Sequence, residues 1–223
     1  MSPGHVIAIV GAESVGKTDL AQSLCARLNE LTGLRCVWVP EVLRAWCERA
    51  GRTPERDEQA GIAQEQTRFI TEATLTHDLV IADSTPLMTA LYSQRLFDDA
   101  SLLAPALAAQ AGYAATLLAA TDLPWVADGI QRDGPVMRTA IDADLRSALL
   151  TGGVNWSVVS GSGSARTECA IDALSPWLRR LQSPRAGLFT RLQQRDAAAP
   201  VWNWVCETCD VPECEHRQFQ ERV

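Results

Sequence analysis

The stretch Gly11-Ala12-Glu13-Ser14-Val15-Gly16-Lys17-Thr18 decides how this sequence folds. The apolar run 6–10 before it predicts a buried strand, and the leucines at 20, 24 and 28 after it predict an amphipathic helix over about 17–31. A G-x-x-x-x-G-K-T pattern between a strand and a helix is typical of a phosphate-binding loop rather than of a chance match. Its glycines admit phosphate close to the backbone, whose N–H groups and positive helix end attract the anion. All eight residues are therefore predicted to bind ATP and Mg²⁺, with Lys17 on the β- and γ-phosphates and Thr18 as a magnesium ligand.

Along the rest of the chain, apolar runs alternate with helical patterns, as in βαβ units. This order predicts an α/β fold of the P-loop NTPase class, a five-stranded parallel sheet flanked by helices. Composition changes near residue 183, so we predict a kinase-like ATPase domain over 1–183 and a short Cys-rich tail over 184–223. The predicted strands are 6–10, 36–39, 79–82, 115–119 and 156–159, and the predicted helices are about 17–31, 42–50, 57–77, 86–97, 102–111, 136–151 and 166–182.

The composition narrows the class of protein. With 223 residues, 47% of them hydrophobic, the chain is long enough for a sizeable core. A net charge of −7 argues against general nucleic-acid binding. No apolar stretch suits a membrane helix, and no basic residues precede the run 6–10 as in a signal peptide, so we expect a cytoplasmic protein. Seven cysteines, an odd number, argue against a disulfide framework, and we expect small core residues at Cys25, Cys36, Cys47 and Cys169.

Two carboxylates follow predicted strands. Asp83 ends the third strand, beside the predicted phosphate loop, where it can hold magnesium directly or through water, or cap the next helix. Glu41 ends the second strand, where it could take the proton of an attacking hydroxyl, bind a substrate diol, or serve only as a helix N-terminal acid. Arg44 follows on the first turn of the next helix, as a substrate-binding residue or as an exposed arginine.

The polar connection 122–138 lies where small P-loop kinases carry a lid. Arg132 and Arg138 could bring positive charge to the transferring phosphate, or pair with nearby acids such as Asp128 in an ordinary exposed loop. The loop 160–163 after the fifth strand borders the adenine or is a plain turn.

Four segments in consistent order resemble the ribosylnicotinamide kinase domain of NadR-type proteins and its AAA-like P-loop relatives. They are the stretch 11–18, Glu41-x-x-Arg44, Asp83-Ser84-Thr85 and Pro124-Trp125-Val126-x-Asp128-Gly129-x-x-Arg132. The resemblance covers about residues 5–180. It implies phosphorylation of the 5′-hydroxyl of nicotinamide riboside by ATP, in NAD biosynthesis. It also implies that Glu41 and Arg44 lie at the acceptor site and that Trp125 belongs to the lid and the nearby substrate pocket, where we also place Asp128.

The tail contains four possible zinc ligands, Cys206, Cys209, Cys214 and His216. Their spacing could close a tetrahedral site, and a short tail without a core of its own would gain stability from a bound metal. A redox-active Cys-x-x-Cys pair and a reduced cluster without a role are the alternatives.

Two classes of function fit these observations. The first is a kinase that transfers phosphate from ATP to a small nucleoside-like substrate, with Lys17, Glu41, Asp83, Arg132 and Arg138 as the catalytic residues. The second is a regulatory ATPase that uses the tail as an interaction module. ATP turnover with and without nucleosides separates them.

Overall fold

The computed structural model describes residues 3–126 and 134–181. Five strands alternate with helices along the chain, as predicted. The strands are β1 (His5–Val10), β2 (Cys36–Val39), β3 (Leu79–Asp83), β4 (Ala115–Ala119) and β5 (Ser157–Val159). The helices are α1 (Lys17–Thr32), α2 (Val42–Ala50), α3 (Gln59–Thr76), α4 (Pro86–Phe97), α5 (Leu103–Ala111), α6 (Gly134–Thr151) and α7 (Gly163–Leu181), with a 3-10 turn at Arg56–Glu58 before α3.

The five strands form one parallel sheet in the order β2-β3-β1-β4-β5. In the register between β1 and β3, Ile9 lies opposite Asp83, and between β2 and β3, Val39 lies opposite Ala82. The carboxyl ends of β1, β2 and β3 therefore meet at one edge of the sheet. That edge is the usual position of ligand sites in open α/β sheets.

Both faces of the sheet are covered, which explains why β1 and β3 are apolar at consecutive positions. Alternate side chains of each strand point to opposite faces. One face packs against α1 and α7, and the other against α3, α4 and α6. The strand residues facing α1 and α7 are Ile7, Ile9, Leu79, Ile81, Leu117 and Val159, and those facing the other helices include Val6, Val10, Val80, Ala82 and Leu118.

The predicted fold class and element order are confirmed, with small shifts at element ends. Trp156 lies outside β5, and α6 begins two residues before the predicted start. Of the four cysteines predicted in the core, Cys47 is buried and the other three are half-buried. Within the described ranges, no helix combines the length and the apolar character that crossing a bilayer demands. The predicted tail, 184–223, lies outside the described residues, and its boundary stays a prediction.

Candidate active site

The predicted phosphate loop connects β1 to α1 at the carboxyl edge of the sheet. Gly16 ends the loop as the N-cap of α1 in the left-handed conformation, with φ of 70°. This backbone favours glycine. Gly11 lies close to its neighbours: a Cβ there would come within 3.0 Å of Val15 Cγ2 and 3.1 Å of the Ala119 carbonyl oxygen. The two glycines of the motif thus allow both the turn into the helix and the close packing of the loop.

Lys17 points back over its own loop. Its ammonium donates a hydrogen bond of 2.9 Å to the Ala12 carbonyl oxygen. In a trans peptide the C=O and N–H groups point in opposite directions, so this bond also orients the next amide, that of Glu13. An ammonium at this position can both hold the loop and meet an anion that enters it.

Asp83 and Thr18 form a pair of oxygen ligands beside the loop. The Thr18 hydroxyl donates to Asp83 Oδ2 at 2.7 Å, and Asp83 is 1% exposed. Its second oxygen, Oδ1, is buried and has no hydrogen-bond partner among the described residues. A buried carboxylate oxygen without a partner, next to a hydroxyl, fits the oxygen ligands that Mg²⁺ prefers.

The groups around Asp83 shift its pKa in opposite directions. Burial raises the pKa of Asp83 above its usual value, and the negative charge of Glu41 raises it further. The Thr18 hydrogen bond and the positive charges of Lys17 and Arg44 lower it, without cancelling the rise. These interactions indicate that the structure brings together five residues that the sequence predicted for one site.

Glu41 is the N-cap of α2 but its side chain makes no capping hydrogen bond. Arg44 lies one turn along α2 and is 3.8 Å from Glu48. The main chain on both sides of Glu41 is held by the buried side chain of Gln66, whose Oε1 accepts from the Val42 amide at 2.8 Å and whose Nε2 donates to the Pro40 carbonyl at 3.3 Å. Sequence reasoning missed Gln66, which lies 25 residues from Glu41 on another helix.

The segment after β4 lies against the phosphate loop. The Val126 amide donates to the Ser14 hydroxyl at 2.8 Å, and Leu123 Cδ1 would be 3.1 Å from a Cβ at Gly16. Trp125 is half-buried in this segment. Arg138, at the start of α6, is buried and donates to the Leu123 carbonyl at 2.8 Å. Arg138 therefore holds this segment, and its predicted phosphate contact stays a prediction.

Some predicted site residues lie outside the described part of the chain. Within residues 3–126 and 134–181, no group of three or more His, Cys, Asp or Glu side chains could hold a metal ion. The residues that the structure does not describe are Asp128, Arg132, Cys206, Cys209, Cys214 and His216.

A second pair of residues at this edge was not predicted from the sequence. Arg166, near the start of α7, is buried and forms an ion pair with Asp122 at 2.7 Å. No short motif marks such a residue, because only its partner Gly161 is close in sequence, while the others lie 44 to 151 residues away. A single arginine at the start of a predicted amphipathic helix was the only sequence signal.

The fold is similar to those of solved nucleotide-binding proteins. A NadR protein in complex with NAD and AMP-PNP matches with a TM-score of 0.63 and 19% identity, over 82% of this chain and 51% of that one. A NadR protein in complex with NR matches with a TM-score of 0.59 and 18% identity, over 82% and 54%. The thymidylate kinase of Ehrlichia chaffeensis matches with a TM-score of 0.54 and 14% identity, over 81% and 100%. The chain thus spans about half the length of the NadR chains.

Comparison with curated protein sequences found no match. Residues 6–166, well over half of the chain, match the family described as AAA domain. That range begins in β1 and ends at Arg166, so it includes the phosphate loop, Asp83 and the segment after β4. The expected AAA-like family is confirmed by this match, the resemblance to NadR proteins is confirmed in fold, and the chain belongs to the AAA domain family.

Proposed function

We propose that this chain is an ATP-dependent kinase that transfers the γ-phosphate of ATP to the hydroxyl of a ribonucleoside, with nicotinamide riboside as the first candidate. The observation that carries the proposal is the grouping of Lys17, Thr18 and Asp83 at one edge of the sheet, with the carboxylate of Glu41 close enough to raise the pKa of Asp83. This arrangement suits phosphoryl transfer, because the loop can bind ATP while the carboxylate of Glu41 faces the acceptor. Similarity to thymidylate kinase and to NadR in complex with NR supports a nucleoside-like acceptor.

In the proposed reaction the acceptor oxygen attacks the γ-phosphorus and the bond to the oxygen that bridges the β- and γ-phosphates breaks. ADP leaves, and the proton of the acceptor hydroxyl passes to the carboxylate of Glu41. Lys17 and the amides of the loop 11–16 bind the phosphates, and Arg44 binds the acceptor. Thr18 and Asp83 would hold Mg²⁺, which would neutralise charge on the phosphates.

The segment after β4 would complete the site. We propose that Trp125 and Asp128 border the acceptor and that Arg132 or Arg138 reaches the transferring phosphate. The contact between Val126 and Ser14 supports a position of this segment next to the phosphates. Stabilisation of charge by these arginines would act mainly in the transition state.

Incubation with Mg-ATP and a panel of nucleosides that includes nicotinamide riboside tests the proposal, with ADP release and product mass as readouts. We expect ADP release only with an acceptor, and a product heavier by one phosphate. The Asp83→Asn variant is the matched control, because it differs by one charge at the proposed magnesium site. Acceptor-independent hydrolysis would instead support a regulatory ATPase.

We also propose that Cys206, Cys209, Cys214 and His216 bind one zinc ion that orders the tail, as their types and spacing allow. Elemental analysis of protein purified without added metal should give one zinc per chain. Zinc should dissociate as the pH falls, because thiolates and a neutral imidazole are the ligands. The Cys209→Ser variant should lose zinc and keep ATP binding, whereas zinc-free wild-type protein with freely titrating thiols would contradict this proposal.

A further inference from the structure

Arg166 connects three loops at the carboxyl edge of the sheet. Its Nη1 donates to the Gly161 carbonyl at 2.7 Å, in the loop after β5, and its Nη2 donates to the Ala120 carbonyl at 2.9 Å, after β4. The same Nη2 donates to the Val15 carbonyl of the phosphate loop at 3.1 Å. Its side chain is 4% exposed. One buried guanidinium therefore joins the loops that follow β1, β4 and β5.

Asp122 completes this arrangement. Its Oδ1 accepts from Arg166 Nη1 at 2.7 Å and its Oδ2 accepts from the Gly161 amide at 2.6 Å. Partial burial favours the neutral acid, but the Gly161 amide and the Arg166 charge outweigh it and lower the pKa of Asp122 below its usual value. We call Arg166, Asp122 and the three carbonyls the Arg166 clasp.

The clasp contributes little net stability to the fold, because burying a guanidinium costs free energy. A buried guanidinium loses its hydration, and here its Nε has no hydrogen-bond partner among the described residues. Three of its partners are main-chain carbonyls in loops, and apolar packing could not replace these hydrogen bonds. Such a residue is better explained by the loop geometry that it imposes than by net stability.

The bond to Val15 has a direct consequence for phosphate binding. Because the C=O and N–H of a trans peptide point in opposite directions, holding the Val15 carbonyl on the Arg166 side turns the Gly16 amide to the other side. Gly16 is the N-cap of α1, and amides at a helix N-terminus are the groups that bind phosphate. The clasp thus fixes the direction of one phosphate-binding amide and its distance from the loop after β5.

We propose that Arg166 is a positioning residue for the donor nucleotide: it presets the phosphate loop and the loop after β5 without touching ATP. This deepens the proposed function but rests only on the part that assigns ATP to the loop 11–16. Removing the clasp should weaken nucleotide binding far more than acceptor binding. The loss of affinity should concern the phosphates, so the binding of inorganic tripolyphosphate should be weakened as strongly as that of ATP, and the binding of adenosine should change little.

The test compares Arg166→Met with Leu178→Ala. Leu178 lies on the same helix, twelve residues beyond Arg166, is 3% exposed, and packs in the core with residues of α1 and the sheet. Calorimetric titration with Mg-AMP-PNP and with Mg-tripolyphosphate gives the affinities, and thermal unfolding gives the loss of stability. We expect Arg166→Met to weaken the binding of both ligands roughly tenfold or more, since defects in positioning have effects of this size. Leu178→Ala should leave both within about twofold at a comparable or larger loss of Tm, because it alters packing alone.

Two further variants keep the proposal testable if Arg166→Met does not fold. Arg166→Lys keeps the charge, but one ammonium cannot span all four acceptors, so affinity should fall to an intermediate value. Asp122→Asn, at a half-exposed position, should weaken tripolyphosphate at least about threefold because it removes the charge that orients the guanidinium.

Nucleotide affinity within twofold of wild type in the folded Arg166 variants would overturn the proposal, as would an equal loss in Leu178→Ala. A wild-type protein that binds ATP but phosphorylates no acceptor would contradict the proposed kinase activity and leave the clasp measurements valid.

Discussion

The donor side and the acceptor side of the proposed transfer site are held by different kinds of contact. On the donor side, hydrogen bonds within and beneath the phosphate loop join Lys17 to Ala12, Thr18 to Asp83 and Arg166 to Val15. On the acceptor side, Glu41 makes no capping bond and only the main chain beside it is tied, by Gln66. In the proposed reaction the ATP site is therefore held by hydrogen bonds of its own side chains, whereas the Glu41 carboxylate is positioned through the main chain beside it. Substitutions on the donor side should therefore affect every reaction of the protein, and those on the acceptor side should discriminate between acceptors.

The largest expected loss of activity on the donor side comes from Lys17→Ala. Losing the ammonium removes both the bond to Ala12 and the charge at the phosphates, so phosphoryl transfer should fall by about 1000-fold with any acceptor. Steady-state kinetics with two acceptors measures this. Lys17→Arg is the matched control, which keeps the charge on a different head group. Activity above about a tenth of wild type in the alanine variant would contradict a catalytic phosphate loop.

Lys17 also offers a chemical probe, because it is the only lysine in the sequence. An acyl-phosphate derivative of ATP should therefore transfer its acyl group to this side chain. Intact-protein mass spectrometry should show one added acyl group, and prior addition of ATP should protect against it. Labelling confined to the chain's amino terminus would place the donor phosphates elsewhere.

Asp83→Asn should separate stability from activity on the donor side. The pKa of Asp83 is raised in the folded protein, so folding favours the protonated, neutral acid. Protonated Asp83 therefore contributes to stability at low pH, and this contribution is lost as the pH rises through the raised pKa. At neutral pH the asparagine variant should therefore unfold at a higher temperature, by about 1 kcal/mol of stability, as is common for substitutions that relieve strain at functional sites. Its transfer activity should fall about 100-fold, because the amide is a poor magnesium ligand.

The pH dependence follows from the same shift. Protons compete with Mg²⁺ for Asp83, so magnesium-dependent ATP affinity should decline as the pH falls. Because the pKa of Asp83 is raised, this decline should begin at a higher pH than it would for an ordinary aspartate. This decline should be absent in Asp83→Asn. Melting curves with and without Mg²⁺ across a pH series measure both effects. A variant that is less stable than wild type, or that retains magnesium-dependent affinity, would contradict the assigned role.

Glu41→Gln should act mainly on the acceptor side, although it also removes the negative charge that raises the pKa of Asp83. The loose transition state of phosphoryl transfer needs little help from a base, so we expect a fall of about 10- to 100-fold in turnover. ATP affinity, measured by titration, should change less than twofold. Arg49→Gln, at an exposed position at the end of α2, is the control for altered charge on this helix. Lost ATP affinity with full turnover at saturation would move Glu41 to the donor side.

On both sides the sequence predicted the residues of the proposed chemistry but not the residues that hold them in place. The phosphate loop, the position of Asp83 and the order of elements were predictable, since each depends on a short motif or on local periodicity. The strand order was not, because it depends on which strands pair across the sheet. Arg166 and Gln66 were missed for a related reason: most of their partners are distant in sequence and several are main-chain groups, and neither residue type in isolation indicates such contacts.

Gln66 gives the smallest expected effect and the finest test of the comparison. Its amide holds the main chain on both sides of Glu41, so Gln66→Met should leave the Val42 amide without its partner and loosen the carboxylate. The buried unpaired amide should lower stability by about 1–3 kcal/mol. The KM for the acceptor should rise about three- to fivefold, while the KM for ATP should stay within twofold, because both hydrogen bonds of this side chain go to the main chain beside Glu41. Gln64→Met, at an exposed position on the same helix, should change neither constant. If Gln66→Met instead raised both Michaelis constants equally, the two sides would form one cooperative unit, and the independence inferred from their separate hydrogen bonds would be wrong.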